Sequence, residues 1–130
     1  MNLHLTQERP EIPYNYTKNC VVYTGTHDND TLQGWYKAIN EEDREFTIEY
    51  LDNKATPIEE IHWDFIRLAL STVADTCLIA AQDYLGLGSE ARINTPSSIG
   101  GNWVWRVKKG EFTKELSQKI LKLSKIYGRC

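Results

Sequence analysis

Four successive residues carry the densest chemistry in the chain: His27, Asp28, Asn29 and Asp30 follow the apolar run Cys20-Val21-Val22-Tyr23 across Thr24-Gly25-Thr26. An imidazole, two carboxylates and a carboxamide supply hydrogen-bond donors, acceptors and fixed negative charge within one short segment. A catalytic barrel strand ends in this way, with an apolar strand delivering reactive groups into the loop after it. The same residues also suit a turn in which Asp and Asn bond their own backbone, and they carry donor atoms a metal could use. No second His or carboxylate cluster stands at a recognisable ligand spacing, so no metal is expected, and no cofactor motif is evident. Taken without their neighbours, the four residues fit a solvated turn best.

A second apolar run, Cys77-Leu78-Ile79-Ala80-Ala81, also ends in polar residues, Gln82 and Asp83, and Asn94 lies in the loop beyond it. Asp83 suits the N-cap of a short helix at Tyr84 as well as it suits a ligand contact. Gly86-Leu87-Gly88 lacks the Lys and Ser/Thr that a phosphate-binding loop requires. Trp35, Trp103 and Trp105 offer flat apolar faces for stacking, but packing is the commoner fate of tryptophan and is expected for them.

Positioning these groups requires strands and connecting helices. Residues 1–6 alternate weakly and suit a short strand, whereas Pro10 and Pro13 oppose regular structure between Glu8 and Asn19. Residues 20–24 and 77–81 are apolar on both faces, as in parallel strands covered on each side. Asn40 can cap a helix opening with Glu41-Glu42-Asp43. Thr56-Pro57-Ile58-Glu59 has capping-box spacing with proline at the first helical position, and Ile61, Phe65, Leu68, Thr72 and Val73 recur at helical intervals. A connecting helix over residues 57–76 is therefore expected. Another is expected from about Thr113 to Tyr127, with Leu116, Ile120, Leu123 and Tyr127 on one stripe.

At 130 residues, 41% hydrophobic and 25% charged, the chain suits one globular domain or one piece of a domain. The formal net charge of -3 gives no general attraction to nucleic acid or anionic lipid. The lysines between Lys108 and Lys125 alternate with Glu111, Glu115 and apolar residues, and read as a solvated helix face. Three cysteines, Cys20, Cys77 and Cys130, are too few and too scattered for a disulfide framework. The first six residues lack the basic and apolar regions of a signal peptide, and no run is long enough to span a membrane. A soluble, cytoplasmic location is the expectation.

Three blocks carry a resemblance that spacing alone does not supply. YTGTHDNDTLQGWY at 23–36, AQDYLGLGSEARIN at 81–94 and GNWVWR at 101–106, in this order, resemble the C-terminal part of the 4-alpha-glucanotransferases. These amylomaltases, or disproportionating enzymes, are retaining transglycosylases on a (β/α)8 barrel of the alpha-amylase clan. The likeness runs from about Met1 to near Tyr127. It implies an α/β fold, namely the C-terminal portion of a TIM barrel with about the sixth to eighth strands and their helices, ending near Thr6, Thr24 and Ala81. It also implies transfer of a segment of an alpha-1,4-glucan to the 4-hydroxyl of glucose or a maltooligosaccharide, without a cofactor.

Retaining glycoside chemistry needs two carboxyl groups about 5 Å apart, a nucleophile and an acid/base. By resemblance these follow the fourth and fifth strands, which this chain does not contain. Asp28 matches the family's third acid, which stabilises the oxocarbenium-like transition state, and His27 matches the neighbouring sugar-binding histidine. Gln82, Asp83 and Asn94 fall where the family places part of its substrate-facing wall. As a separate molecule the chain is expected to be catalytically inert and marginally stable, with the preceding part of the barrel and an alpha-glucan as its partners. A glucan-binding module without turnover and another alpha-amylase-clan hydrolase are the alternatives; GTHDND with GNWVWR favours the transferase. One departure stands out: Pro96-Ser97-Ser98 replaces a Pro-Gly-Thr-like turn, and loss of that glycine is expected to alter the loop.

Overall fold

The computed structural model describes residues 2–5 and 12–130. Its centre is a parallel strand pair, β1 (Val21–Tyr23) and β2 (Thr76–Leu78), with Val21, Val22 and Tyr23 opposite Thr76, Cys77 and Leu78. Parallel strands need a long crossover, and here it carries α1 (Leu32–Ala38), α2 (Glu41–Leu51) and α3 (Ile61–Ser71). After β2 come the single-turn α4 (Ala81–Tyr84), a long loop and α5 (Lys114–Ile126). The strand expected over residues 1–6 is reduced to one parallel bridge, Asn2 to Tyr23, while Thr6 lies outside the described residues.

Local chemistry accounts for where the helices begin and end. Asn40 caps α2 by accepting from the Asp43 N–H at 2.8 Å, and Glu41, Glu42 and Asp43 fill its first turn. Thr113 likewise caps α5 through the Leu116 N–H, at 3.1 Å, so both of these expected helices form.

The helix expected over 57–76 is shorter. Pro57 stays extended at ψ 148, Ile58–Glu60 makes a 3-10 turn without a side-chain cap, and the α-helix starts only at Ile61. The capping box at Thr56 is therefore not used. At the other end Thr72 is extended (ψ 161), with its hydroxyl donating to the Ala69 carbonyl at 2.9 Å. The second strand also differs from the 77–81 expectation, because the Ala80 carbonyl accepts from Asp83 and Tyr84 N–H and turns the chain into α4. That makes Ala80 the N-cap of α4, and not Asp83.

The main core lies between the strand pair and the crossover. Leu3, Val22, Leu32 and Phe65 are all fully buried there, and Tyr36 and Ile61 join them. A second cluster sets Leu123 of α5 against Ile66 and Leu70 of α3. The strands are not covered on both faces as expected: Val22 is buried, but Val21 is 41% exposed and Leu78 58%. Cys20, Cys77 and Cys130 are free thiols. Among the described residues no helix is long and apolar enough to cross a membrane.

Candidate active site

The site is built where β1 and β2 end side by side. Thr24, fully buried, closes both strand ends: its N–H donates to the Leu78 carbonyl at 3.2 Å, and its Oγ1 accepts from the Ala80 N–H at 3.2 Å. Beyond it Asn29 locks a turn, since its Oδ1 accepts from the Thr26 N–H (2.8 Å) and hydroxyl (3.0 Å) while its own N–H reaches the Thr26 carbonyl. Turn and functional cluster are thus compatible here. Thr26 and Asn29 make the turn, and His27 and Asp28 stand on it with side chains 57% and 49% exposed.

Asn94 comes to this turn from the loop after α4. Its N–H donates to the His27 carbonyl at 3.1 Å, and its Nδ2 donates to Asp28 Oδ1 at 2.7 Å. His27 Nε2 lies 3.3 Å from the same oxygen. Because a carboxylate has about four acceptor positions, Asp28 keeps capacity for hydroxyl donors from outside. The structure therefore brings His27, Asp28 and Asn94 into one constellation.

Gln82 and Asp83 lie in a deeper layer. Asp83 is 3% exposed and accepts from the Leu32 N–H at 2.8 Å and from the Thr24 hydroxyl. Burial pushes its carboxyl above the ordinary range, while those two hydrogen bonds pull it back. Gln82 donates to the Ala91 carbonyl at 3.3 Å. With Thr26, His27, Asp30 and Arg92 they line a cavity of about 200 Å³ below the turn.

α1 is a helix the sequence reading omitted, and its N-terminus forms one wall of that cavity. Leu32 N–H goes to Asp83, Thr31 N–H to Asp30 Oδ1, and Gly34 N–H to the Thr31 hydroxyl, so three otherwise orphaned donors are satisfied. Asp30 also accepts from the Ser89 hydroxyl at 2.6 Å. A Cβ at Gly34 would run into this Asp30–Ser89 pair, which accounts for glycine inside the helix. The missed signal was Thr31 preceding Leu32, Trp35 and Tyr36 at helical spacing.

The tryptophans divide. Trp35 packs as expected, stacked on His4 with centroids 4.5 Å apart and edge-on to Phe65. Trp103 does not: it is 56% exposed, and its ring lies 5.1 Å from that of His27. Trp105 is half-buried. Arg92, which the sequence reading passed over, donates to the main-chain carbonyls of Asp28 (2.8 Å) and Asn94 (2.9 Å). Among the described residues no group of three or more His, Cys, Asp or Glu side chains could hold a metal ion.

Comparison with known proteins matches residues 1–113 to the family model described as 4-alpha-glucanotransferase. The 4-alpha-glucanotransferase of Clostridium butyricum is 51% identical over 122 residues, 93% of this chain and 25% of that protein. The enzyme of Thermus thermophilus is 40% identical over 118 residues, 87% of this chain and 24% of its own length. Among solved structures, an amylomaltase from Streptococcus agalactiae in complex with acarbose superposes with a TM-score of 0.85 at 32% identity, covering 95% of this chain and 25% of that one. The chain spans about a quarter of the length of the curated relatives it matches. On the family match and on these identities, with a strand-end cluster of the kind just described, the chain belongs to the 4-alpha-glucanotransferase family.

Proposed function

We propose that this chain supplies the transition-state-stabilising side of a glucanotransferase active site, in an enzyme that transfers a segment of an alpha-1,4-glucan to a new 4-hydroxyl with retention. The observation that carries the reading is the exposed Asp28 carboxylate, held by Asn94 Nδ2 at 2.7 Å beside His27. As the glycosidic bond breaks, positive charge grows on the sugar ring, and a preorganised anion lowers that barrier. Asp28 is this anion and exchanges no proton. His27 donates to a hydroxyl of the same sugar, and Asn94 orients Asp28 and borders the subsite. Gln82 and Asp83 serve from beneath, fixing the loop and the α1 terminus against which the sugar rests.

In this reading residues 1–130 are one part of a single catalytic barrel. The segment at Asn2–Leu5, β1 and β2 are its sixth, seventh and eighth strands. Earlier strands bring the nucleophile and the acid/base, so the isolated chain is inert. The working partners are the preceding part of the barrel and a maltooligosaccharide, in the cytoplasm, with neither nucleic acid nor membrane involved. A fusion in which this chain replaces the matching quarter of the Clostridium butyricum relative tests the assignment. Glucose release from maltotriose by the folded fusion, with none from the 130-residue chain alone, is expected; a folded but inactive fusion overturns it.

One observation favours a second reading, glucan binding without turnover: the Trp103 face stands open beside His27. Isothermal titration of the isolated chain with maltoheptaose separates the two. Heat of binding without glucose release supports the module.

A further inference from the structure

We infer that Arg92 is a positioning residue whose guanidinium sets the Asp28–Asn94 pair by clamping the main chains of the two loops that carry them. This rests on the reading of Asp28 as the charge-stabilising carboxylate. Two donors of one planar group are spent on two different loops: Nη2 donates to the Asp28 carbonyl at 2.8 Å and Nε to the Asn94 carbonyl at 2.9 Å. The rigid fork of arginine fixes the spacing between whatever it holds. Here it holds the backbones from which the Asp28 carboxylate and the Asn94 amide project to meet at 2.7 Å.

Arg92 itself stands on a fixed base. Its N–H donates to the Ser89 carbonyl at 3.1 Å, closing the 3-10 turn Ser89–Ala91. Ala91 beside it is fully buried, and its carbonyl accepts from Gln82 Nε2. The turn is also tied to the β1 loop through Ser89 and Asp30, at 2.6 Å. The clamp therefore transmits the position of a packed platform to an exposed pair.

The choice of acceptors matters electrostatically. Both of these guanidinium bonds go to neutral carbonyls, so Arg92 orients Asp28 without forming an ion pair with the carboxylate that the sugar cation needs. A lysine at this position would offer a single ammonium and could not hold both carbonyls at a set separation.

Two measurements test this. In NMR spectra of the active fusion, Asp28→Asn should shift the Asn94 side-chain amide, and that response should vanish in Arg92→Gln and Arg92→Lys backgrounds while signals of the core persist. Retention of the response in both variants overturns the clamp. In the active fusion, Arg92→Lys should lower kcat about 10- to 100-fold, as expected for misplacement of a catalytic group, with KM and Tm little changed. Combination with Asn94→Ala should add nothing beyond the larger single loss, whereas multiplicative losses, or a loss confined to KM, overturn the inference. If Asp28→Asn keeps full activity while the NMR coupling still depends on Arg92, the reading of Asp28 fails and the clamp stands. The opposite pair of results sinks the clamp alone.

Discussion

Two aspartates near the strand ends show how environment divides labour between identical side chains. Asp28 is half exposed and meets Asn94 and His27 at one oxygen, whereas Asp83 is 3% exposed and bonded to the Leu32 N–H and Thr24 hydroxyl. Removing Asp83 strands a helix N–H in the interior, so Asp83→Ala should cost about 1–3 kcal/mol, read as a lowered urea midpoint of the fusion. An unchanged midpoint would show that the Leu32 N–H has found another partner. Burial raises the Asp83 carboxyl above its ordinary 3.8, so its contribution to stability is full below that pH and declines as pH rises through the raised value. Burial lowers His62 below its ordinary 6.5; its contribution is present above 6.5 and is lost as pH falls through the lowered value. Urea titrations of the fusion across pH should therefore show Asp83→Asn gaining on the parent as pH rises above 3.8, and His62→Gln losing less than the parent as pH falls below 6.5. Parallel curves would contradict the burial of these groups. His27 and Asp28 stand out in the sequence as contiguous chemistry, but on their own they read as a turn, and it is the flanking blocks that mark them as a candidate site. The hydrogen bonds from Leu32 to Asp83 and from Arg92 to Asp28 join residues 51 and 64 apart, and no local pattern announces such pairs.

Side-chain caps accompany the helices that were legible, α2 and α5, but not only those, since α1 was passed over although Thr31 caps it through the Gly34 N–H. Asn40 and Thr113 announce α2 and α5, but α4 lacks a side-chain cap, and one N–H at the start of α1 is satisfied from β2's far side by Asp83. The end of α3 depends on a residue far downstream: Arg129 donates to the carbonyls of Leu70, Thr72 and Ala74 at 3.0, 2.9 and 2.6 Å. Such carbonyls have no helical partner, and a cation there also opposes the negative end of the helix dipole. Arg129→Ala should cost about 1–2 kcal/mol, within the range for hydrogen bonds to charged groups at a half-buried site, read as a lower Tm of the fusion. An unchanged Tm would mean that water replaces the guanidinium at no cost. In the loop beyond, Ser97 takes φ 61, so serine adopts the left-handed backbone that glycine would accept without strain. Ser97 is thus held in a conformation that strains a side chain bearing a Cβ. Ser97→Gly should raise stability by about 0.5–1 kcal/mol, the relief being partly offset by the freer unfolded chain. A lower urea midpoint would contradict that.

For the molecule as a whole, the family was legible because three blocks stand in register along the chain, and the match over residues 1–113 bears this out. The packing of the strand pair was not. Apolar residues on both faces of β1 and β2 are written for a sheet covered twice, yet Val21 and Leu78 remain exposed here. Parallel strands with an open apolar face favour association, so the isolated chain should elute from gel filtration as more than a monomer and melt without a sharp transition. A monomeric, cooperative melt would show that the core around Phe65 suffices. Fusion to the remainder of the Clostridium butyricum relative should restore both the monomer and the melt. The most direct test of the catalytic role is the kcat of Asp28→Asn in that fusion, with Tm measured alongside. The expected result is a fall of about 100- to 1,000-fold at unchanged Tm, the loss typical of a group that stabilises charge only in the transition state. A kcat within a few fold of the parent would contradict it.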